Sequence, residues 1–490
     1  MTSVSLDLLA RALDAQGLLV ARRGALPATI AGITDDSRRV AAGALFVAVR
    51  GSQRDGHDFL EAARVAGAAA AIVEDASRTA LPALPALVVR DGRRAAAVAA
   101  AAFYGDPAAA LTLVGVTGTN GKTTTVGMLR HLLDAPGAPA ASIGTLGVLT
   151  GSAGTPLPGG SGLTTPGPIE MQGVLRTLVD AGVRSVAMEV SSHALDQRRV
   201  EGVPFAAAVF TNLTRDHLDY HGTMEAYFAA KARLVSHLSA NGAAVVNADD
   251  LAWAALPQAP RLISYGTAAT ADVRGTALRF SSRGSAFVLE CAGARTPVTL
   301  PLIGDFNVSN ALAAAGAAIA LGHAAASVAA RLETMPQVPG RLEVLHAAPT
   351  VLRDYAHTPD ALERAIAAVR PFARRRLIVV FGAGGDRDRG KRPEMGRVAA
   401  QGADLAIVTS DNPRTEDPER ILDEIEAGMG GTPHQRIEDR RAAIAAALSA
   451  AGPDDVILLA GKGHETYQIR GTTSHPFDEK QIVAELVAGR

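Results

Sequence analysis

The sequence predicts an α/β protein of three domains. A central P-loop domain with a parallel sheet is flanked by an N-terminal α/β domain and a C-terminal Rossmann-like α/β domain. Three observations carry this reading. An apolar, β-branched run at 111–116 breaks into Gly118-Thr119-Asn120-Gly121-Lys122-Thr123-Thr124, and a helical pattern of Val126, Met128, Leu129, Leu132 and Leu133 follows. Short apolar runs alternate with helical patterns along most of the chain, as in parallel sheets with helices on both faces. A length of 490 residues suits about three domains. A Tyr104-Gly105-Asp106-Pro107 turn and a break near residue 338 predict domains of 1–104, 105–338 and 339–490.

Composition narrows the partners. A hydrophobic content of 48% with 20% charged residues fits several globular cores. A net charge of -1 supplies no basic field for nucleic acid. The single cysteine, Cys291, excludes an intramolecular disulfide and suits a reducing cytoplasm. The first residues carry Asp7 and Asp14 and do not read as a signal peptide, and the alanine run at 95–102 is too short to span a membrane. The expectation is a cytoplasmic protein with no nucleic-acid partner and no membrane span.

In the N-terminal domain, residues 6–13 and 58–66 read as helices and 44–49 and 69–73 as strands. Two loops, Asp35-Asp36-Ser37-Arg38 and Gly51-Ser52-Gln53-Arg54-Asp55-Gly56, mix hydroxyl, amide and guanidinium groups. They suit a polar, phosphate-bearing ligand, and equally they are ordinary polar loops.

The central domain reads as strands at 111–116, 144–149, 185–190, 206–210 and 243–247, with helices after Lys122, from Ile169 and from Met224. Residues 150–162, rich in Gly, Ser and Pro, read as a mobile surface loop. In the phosphate loop, glycines let backbone N–H groups turn toward phosphate oxygens, and the helix N-terminus adds its positive end. Lys122 can reach the outer phosphates and the Thr123 hydroxyl can ligate Mg²⁺. The pattern is not strict, since Val116 stands where the usual first glycine falls; a plain strand-to-helix turn is the alternative. Chemistry belongs at the carboxyl ends of such strands. There Glu189 is either a Mg²⁺ ligand, because hard cations prefer oxygen, or a helix cap. His217, after Asn212 and Arg215-Asp216, is either part of the site or a hydrogen-bonded loop histidine. Lys231, among alanines, reads by itself as a solvated lysine on a helix face.

The C-terminal domain reads as strands at 351–355, 377–381, 405–409 and 456–459. Gly382-Ala383-Gly384-Gly385-Asp386 approaches a dinucleotide fingerprint, but its third glycine would fall on Arg387, which argues against NAD. Arg387, Asp411-Asn412-Pro413-Arg414 and Gly461-Lys462-Gly463-His464-Glu465 follow successive strands and form one rim. Two arginines with carboxylates can bind a zwitterion; ordinary surface ion pairs are the other reading.

In combination the motifs resemble the Mur ligases of peptidoglycan synthesis over the whole chain. They are GTNGKTT at 118–124, MEVSSH at 188–193, NLTRDH at 212–217, NVSNA at 307–311, GRLE at 340–343 and DYAHTP at 354–359. The resemblance implies an ATP-dependent amide ligase with UDP-sugar-binding, ATP-binding and amino-acid-binding domains. It implies that Lys122, Glu189, His217 and Lys231 are catalytic, and that CO₂ carbamylates Lys231. Mg²⁺ is then held by Thr123, Glu189, His217 and the carbamate. ATP is expected at Gly118, Thr119, Asn120, Gly121, Lys122, Thr123 and Thr124, and at Asn310, Arg341, Asp354 and His357. Asp35, Ser37, Ser52, Gln53 and Arg54 fall where relatives bind UDP. Thr164, Thr165, Ser191, Gln197 and Arg199 fall where they hold the muramoyl peptide. Asp411, Asn412, Pro413 and Arg414 resemble the signature of members that add meso-diaminopimelate to UDP-MurNAc-L-Ala-D-Glu, with Arg387, Gly461 and Glu465 matching further amino-acid positions. Leu163 stands where relatives commonly carry a polar residue. Folylpolyglutamate synthetase shares the core but lacks the pattern at 35–38. A nucleotide-dependent switch would have no use for the second rim.

Overall fold

The computed structural model describes residues 3–489 except 52, 53, 76, 78–83, 161 and 282. The chain forms two compact units, Met1–Arg274 with Asn310–Val328, and Gly275–Ser309 with Ala329–Arg490.

The first unit holds an N-terminal and a central sheet, besides the two-stranded pair of Val4–Ser5 with Thr29–Ile30. In the N-terminal one the strands run in the order Leu19–Arg23, Ala86–Val89, Ala70–Val73, Ala44–Val47 and Gly32–Thr34. All neighbours are parallel except the first pair. Three of these strands are apolar and buried at every position, as strands covered on both faces must be. Helices Leu6–Ala15 and Gly92–Phe103 supply Leu9, Leu13, Ala96 and Ala99 to the core. The Asp91 carboxylate caps the second helix by accepting from Arg94 N at 3.0 Å. Residues 58–66, expected as one helix, form a 3₁₀ turn, Gly56–Phe59, followed by Leu60–Val65. Asp55 starts that turn by accepting from His57 N.

The central sheet runs Thr155–Leu157, Gly147–Thr150, Ala140–Gly144, Ser185–Glu189, Thr112–Thr117, Phe205–Phe210, Leu238–Asn247 and Arg261–Gly266, followed by Val273 and Arg274. From Ala140–Gly144 onward its neighbours are parallel. The register decides where chemistry gathers. Glu189 lies opposite Val116, and Phe210 opposite Thr117. The carboxyl ends of three adjacent strands therefore finish level, putting Glu189, Gly118 and Thr211-Asn212 on one edge.

Two expectations for this region are corrected. Residues 144–149 are not one strand: Gly144 ends Ala140–Gly144, Thr145 and Leu146 turn, and 147–149 run back antiparallel in Gly147–Thr150, with Gly144 paired to Gly147. The turn is drawn to the Glu189 carboxylate, which accepts from Thr145 N at 2.8 Å. Residues 150–162 are not all loop: Thr155–Leu157 pairs with Gly147–Thr150 as an edge strand, and Pro156 is tolerated because that edge has no further neighbour.

In the second unit, Gly284–Cys291 and Ala294–Leu300 form an antiparallel hairpin. A six-stranded sheet runs Glu343–Ala347, Thr350–Asp354, Val456–Ala460, Leu377–Phe381, Leu405–Val408 and Gln435–Arg436. All its neighbours are parallel except the first pair. Alternate residues serve opposite layers. Leu352, Leu458, Val379 and Phe381 join Leu362, Met395 and Leu422 on one face. Val351, Ile457, Ile378 and Val380 join Ile444, Leu448 and Ile482 on the other. Each such side chain contributes roughly 1.5–3 kcal/mol by leaving water.

Candidate active site

The phosphate loop is built against the strand end beside it. Gly118 has φ +149, and a Cβ there would meet Thr211 Oγ1 at 1.8 Å; Gly121 has φ +86, and a Cβ there would meet Asn310 Oδ1 at 2.3 Å. Only glycine fits either position. Asn212 pins the loop between them: its carbonyl accepts from Thr119 N at 2.7 Å and its Oδ1 from Asn120 N at 2.9 Å. Thr211 Oγ1 donates to Asn120 O at 2.6 Å. Helix Lys122–Leu133 then starts at the loop, with Thr123 and Thr124 buried in its first turn. Lys122 Nζ donates to Gly118 O and Thr119 O at 2.8 Å each, which sets the ammonium across the loop's mouth. Asn310 is buried and accepts from Thr125 Oγ1 at 3.4 Å. The structure thus brings together all the loop residues expected to bind nucleotide in the first unit.

Lys231 joins them. Helix Met224–Ala232, capped by Thr223 accepting from Ala226 N, carries it inward with only 1% exposure. Its Nζ donates to Gly118 O at 2.8 Å and lies 4.5 Å from the centre of the Tyr227 ring. Burial pushes its pKa well below the usual lysine value, and the nearby Lys122 charge pushes it the same way. The solvated helix-face alternative fails on this burial.

Glu189 is 1% exposed. Its Oε1 accepts from Thr145 N at 2.8 Å and its Oε2 from Thr145 Oγ1 at 3.2 Å. The residues expected to hold the muramoyl peptide meet at the same strand end. Thr165 Oγ1 donates to Glu189 O at 2.9 Å and accepts from Ser191 N at 3.1 Å. Thr164 Oγ1 lies 3.4 Å from Thr145 Oγ1. Arg199 donates to Thr165 O at 2.9 Å and to Gln197 Oε1 at 2.7 Å. Gln197 in turn donates to the Tyr220 hydroxyl, which donates to Asp196. Tyr220 was not among the expected residues; its ring packs at a 45° tilt against His193, with centroids 4.2 Å apart, and only the fold reveals that pairing.

His217 begins helix Leu218–His221 with a left-handed φ of 54, and its ring packs edge-on against His193 with centroids 4.8 Å apart. The His193 pKa is pushed down to about 4 by burial and by the neighbouring His217 and His221. Among the described residues, no three His, Cys, Asp or Glu side chains gather as a metal site. Thr123, Glu189 and His217 supply one carboxylate, one hydroxyl and one imidazole. A carbamate on Lys231 would add the second oxyanion that Mg²⁺ favours, so the donor set fits that ion.

Farther toward the N-terminus, Asp35 precedes and Ser37 opens the short turn Ser37–Arg39, whose start is fixed by Asp36 accepting from Arg38 N at 3.0 Å. The Arg54 carbonyl accepts from Gly51 N at 2.9 Å. Ser52 and Gln53 lie outside the described residues.

In the second unit, the loops after Leu377–Phe381, Leu405–Val408 and Val456–Ala460 stand side by side because those strands are neighbours. Gly385 N donates to Asn412 O at 2.9 Å, tying the first two loops. Arg414 has φ 52 and donates from Nη1 to Gly385 O at 2.8 Å. A Cβ on Gly384 would lie 3.0 Å from Arg414 Nη1 and 3.8 Å from Arg387 Cγ, so both arginine side chains flank this glycine. Gly461 stands against the buried Asp411, whose Oδ2 would be 2.4 Å from a Cβ there. Pro413 precedes Arg414 and accepts through its carbonyl from Glu416 N. Asn412 Nδ2 donates to Glu465 Oε2 at 2.9 Å. The rim is one assembly and not a set of separate surface ion pairs. Lys462, placed on the rim by the sequence but given no role there, is fully buried inside it; a lysine between two glycines carries no local sign of that burial. In the same unit Asp354 accepts from Leu342 N at 2.8 Å. The Arg341 guanidinium lies 4.9 Å from the centre of the Tyr355 ring, which also packs against His357.

Three family models match the chain. They are described as Mur ligase family, catalytic domain, over residues 29–104; Mur ligase middle domain, over 116–318; and Mur ligase, glutamate ligase domain, over 340–463. A protein of Geobacter metallireducens named UDP-N-acetylmuramoyl-L-alanyl-D-glutamate--2,6-diaminopimelate ligase is 46% identical, with 94% of each chain covered. One of the same name from Caulobacter vibrioides is 46% identical over 94% of this chain and 96% of its own. A solved structure of a ligase of that name matches with a TM-score of 0.70 and 34% identity, covering 100% of this chain and 99% of its own.

Proposed function

The chain belongs to the Mur ligase family, and from that premise we propose that it is an ATP-dependent amide ligase that joins meso-diaminopimelate to the D-Glu side-chain carboxylate of UDP-MurNAc-L-Ala-D-Glu. The observation that carries the amino-acid part is the rim of the second unit, where Arg387 and Arg414 flank Gly384 beside Asp411 and the Asn412–Glu465 pair. A zwitterion with a distal carboxylate and ammonium needs that mixture of charges.

The D-Glu carboxylate attacks the γ-phosphorus of ATP, forming an acyl phosphate and releasing ADP. Both reactants are anionic, so the approach must be neutralised. Lys122 does this by turning its ammonium from Gly118 O and Thr119 O to the phosphate oxygens, while the loop N–H groups and the helix N-terminus bind the remainder. Asn310, Arg341, Asp354 and His357 are assigned to the nucleotide as well. Thr123, Glu189, His217 and a carbamylated Lys231 would hold Mg²⁺, which when bound supplies charge neutralisation at the phosphates. Carbamylation requires an uncharged amine, whose nitrogen bonds to the carbon of CO₂ and loses a proton. The burial of Lys231 favours that uncharged form. Asp35, Ser37, Ser52, Gln53 and Arg54 are assigned to UDP, and Thr164, Thr165, Ser191, Gln197 and Arg199 to the muramoyl peptide. In the second step the amine of diaminopimelate attacks the acyl carbon, and the tetrahedral intermediate collapses to amide and phosphate. We assign three functional domains, 1–104, 105–338 and 339–490, to the UDP moiety, ATP and the amino acid, in a cytoplasmic enzyme acting as a monomer.

The test is phosphate release from ATP in the presence of UDP-MurNAc-L-Ala-D-Glu, with and without meso-diaminopimelate. Release that requires both substrates supports the ligase. Release that is indifferent to either contradicts it.

A further inference from the structure

Lys462 is the one lysine of the C-terminal rim, and it is 0% exposed. Its Nζ donates to Glu465 Oε2 and to Asn412 Oδ1, each at 3.0 Å. Asn412 closes the triangle by donating from Nδ2 to the same Glu465 Oε2 at 2.9 Å. Asn412 Oδ1 also accepts from Ile469 N at 2.9 Å, so the orientation of this amide is fixed from both ends. Gln468 Nε2 donates to Asp411 O at 2.8 Å and holds the backbone just before Asn412. The three side chains come from two different strand-end loops, with the short strand Tyr467–Arg470 behind them.

The chemistry follows from this closure. A buried ammonium must be paired, and here its partner is a carboxylate expected to face the amino-acid substrate. Both anchoring bonds fall on Oε2, so that oxygen is held and the direction of the whole carboxylate is set. Lys462 has no exposed surface through which to touch a ligand. Its influence passes through Glu465. Without it, Glu465 Oε2 would lose one of the two donors that hold it, and Asn412 Oδ1 would lose one of the two donors that orient it.

We infer that Lys462 is a positioning residue for the amino-acid substrate, holding the Glu465 carboxylate aimed, together with Asn412, to receive the distal ammonium of a diamino diacid. The inference rests on the amino-acid reading of this rim given above. It assigns Asn412 chiefly to orienting Glu465.

The experiment measures KM for meso-diaminopimelate and for ATP in the wild type, Lys462→Met, Glu465→Gln and the double variant. Lys462→Met is expected to raise KM for meso-diaminopimelate about tenfold or more and to leave KM for ATP within about twofold. The double variant is expected to match Glu465→Gln within about twofold, because one residue acts through the other. That last comparison stands even if Lys462→Met does not fold, since the double variant leaves no buried charge unpaired. A double variant about tenfold or more worse than Glu465→Gln, or a folded Lys462→Met with unchanged KM, overturns the inference. If the wild type does not use meso-diaminopimelate, or Glu465→Gln leaves its KM unchanged, the reading of the rim fails first and the inference falls with it.

Discussion

Two buried lysines, one in each compact unit, make the most instructive contrast in the molecule. Lys231 and Lys462 are both sealed from water. Lys231 donates to a backbone carbonyl, Gly118 O, and has a second cation, Lys122, as its electrostatic neighbour. Lys462 donates to a carboxylate and to the amide that orients it. In the first setting burial and like charge both oppose the ammonium and push its pKa well below the usual lysine value, which favours the uncharged amine. In the second the charge is answered and becomes a fixed part of a binding surface. The same side chain at the same burial is therefore suited to chemistry in one place and to positioning in the other, and its partner decides which.

Breaking the first half of the contrast should have the largest effect. Lys231→Arg keeps a cation but forms no carbamate, and turnover should fall on the order of 10³-fold, the upper end for losing one preorganised group. Steady-state kinetics at raised Mg²⁺ check this; activity within a few fold of wild type would make Lys231 a packing residue. Lys122→Ala removes the neighbouring cation and should cost about 3 kcal/mol of transition-state stabilisation, or ~10²-fold in kcat, in a protein that still folds. Near-normal turnover of that folded variant would remove the phosphate-loop assignment.

In the second unit, Arg414→Ala should lower kcat/KM for meso-diaminopimelate by about 30-fold or more while KM for ATP changes little, because the distal carboxylate would lose its cation. L-lysine, which lacks that carboxylate, should be a poor substrate for the wild type and should gain relative to diaminopimelate in the variant. Equal use of the two amino acids by the wild type would leave the third substrate open. The smallest effect concerns the support under this rim. Glu416 accepts from the buried Arg392 at 2.8 and 2.9 Å and from Asp386 N at 2.5 Å. Its pKa is held down to about 2, chiefly by the Arg392 hydrogen bonds. A carboxylate depressed in the folded state stabilises it above the unfolded pKa and loses that effect as pH falls toward the folded value. The Tm advantage of wild type over Glu416→Gln should thus be full at pH 7 and shrink below about pH 4.5. A difference that does not vary with pH would mean that Glu416 acts by packing alone.

The contrast also shows what was legible beforehand. The phosphate loop could be read because its constraints are local: glycines at the strand end, then a lysine and a hydroxyl opening a helix. The strands flanking it could be read from continuous apolar runs. Residues 144–149 were misread as one strand because the bend at Thr145 is fixed by Glu189, which lies far along the chain. The edge strand Thr155–Leu157 hid inside a Gly- and Pro-rich stretch because its pairing, and not its composition, makes it a strand. Burial of Lys231 and Lys462 was invisible for the same reason. A lysine among alanines, or between two glycines, carries no local sign of the carbonyl or carboxylate that will meet it. The family resemblance drew attention to Lys231, whereas the burial of Lys462 emerged only from the contacts of the folded rim.

The most direct test of the contrast is ¹³C NMR of the protein equilibrated with ¹³C-bicarbonate. A carbamate resonance is predicted that disappears in Lys231→Met and persists in Lys462→Met, because burial and the Lys122 charge favour the uncharged amine at Lys231, whereas Lys462 is paired with the Glu465 carboxylate. No carbamate signal in the wild type, or one that survives Lys231→Met, would contradict the account.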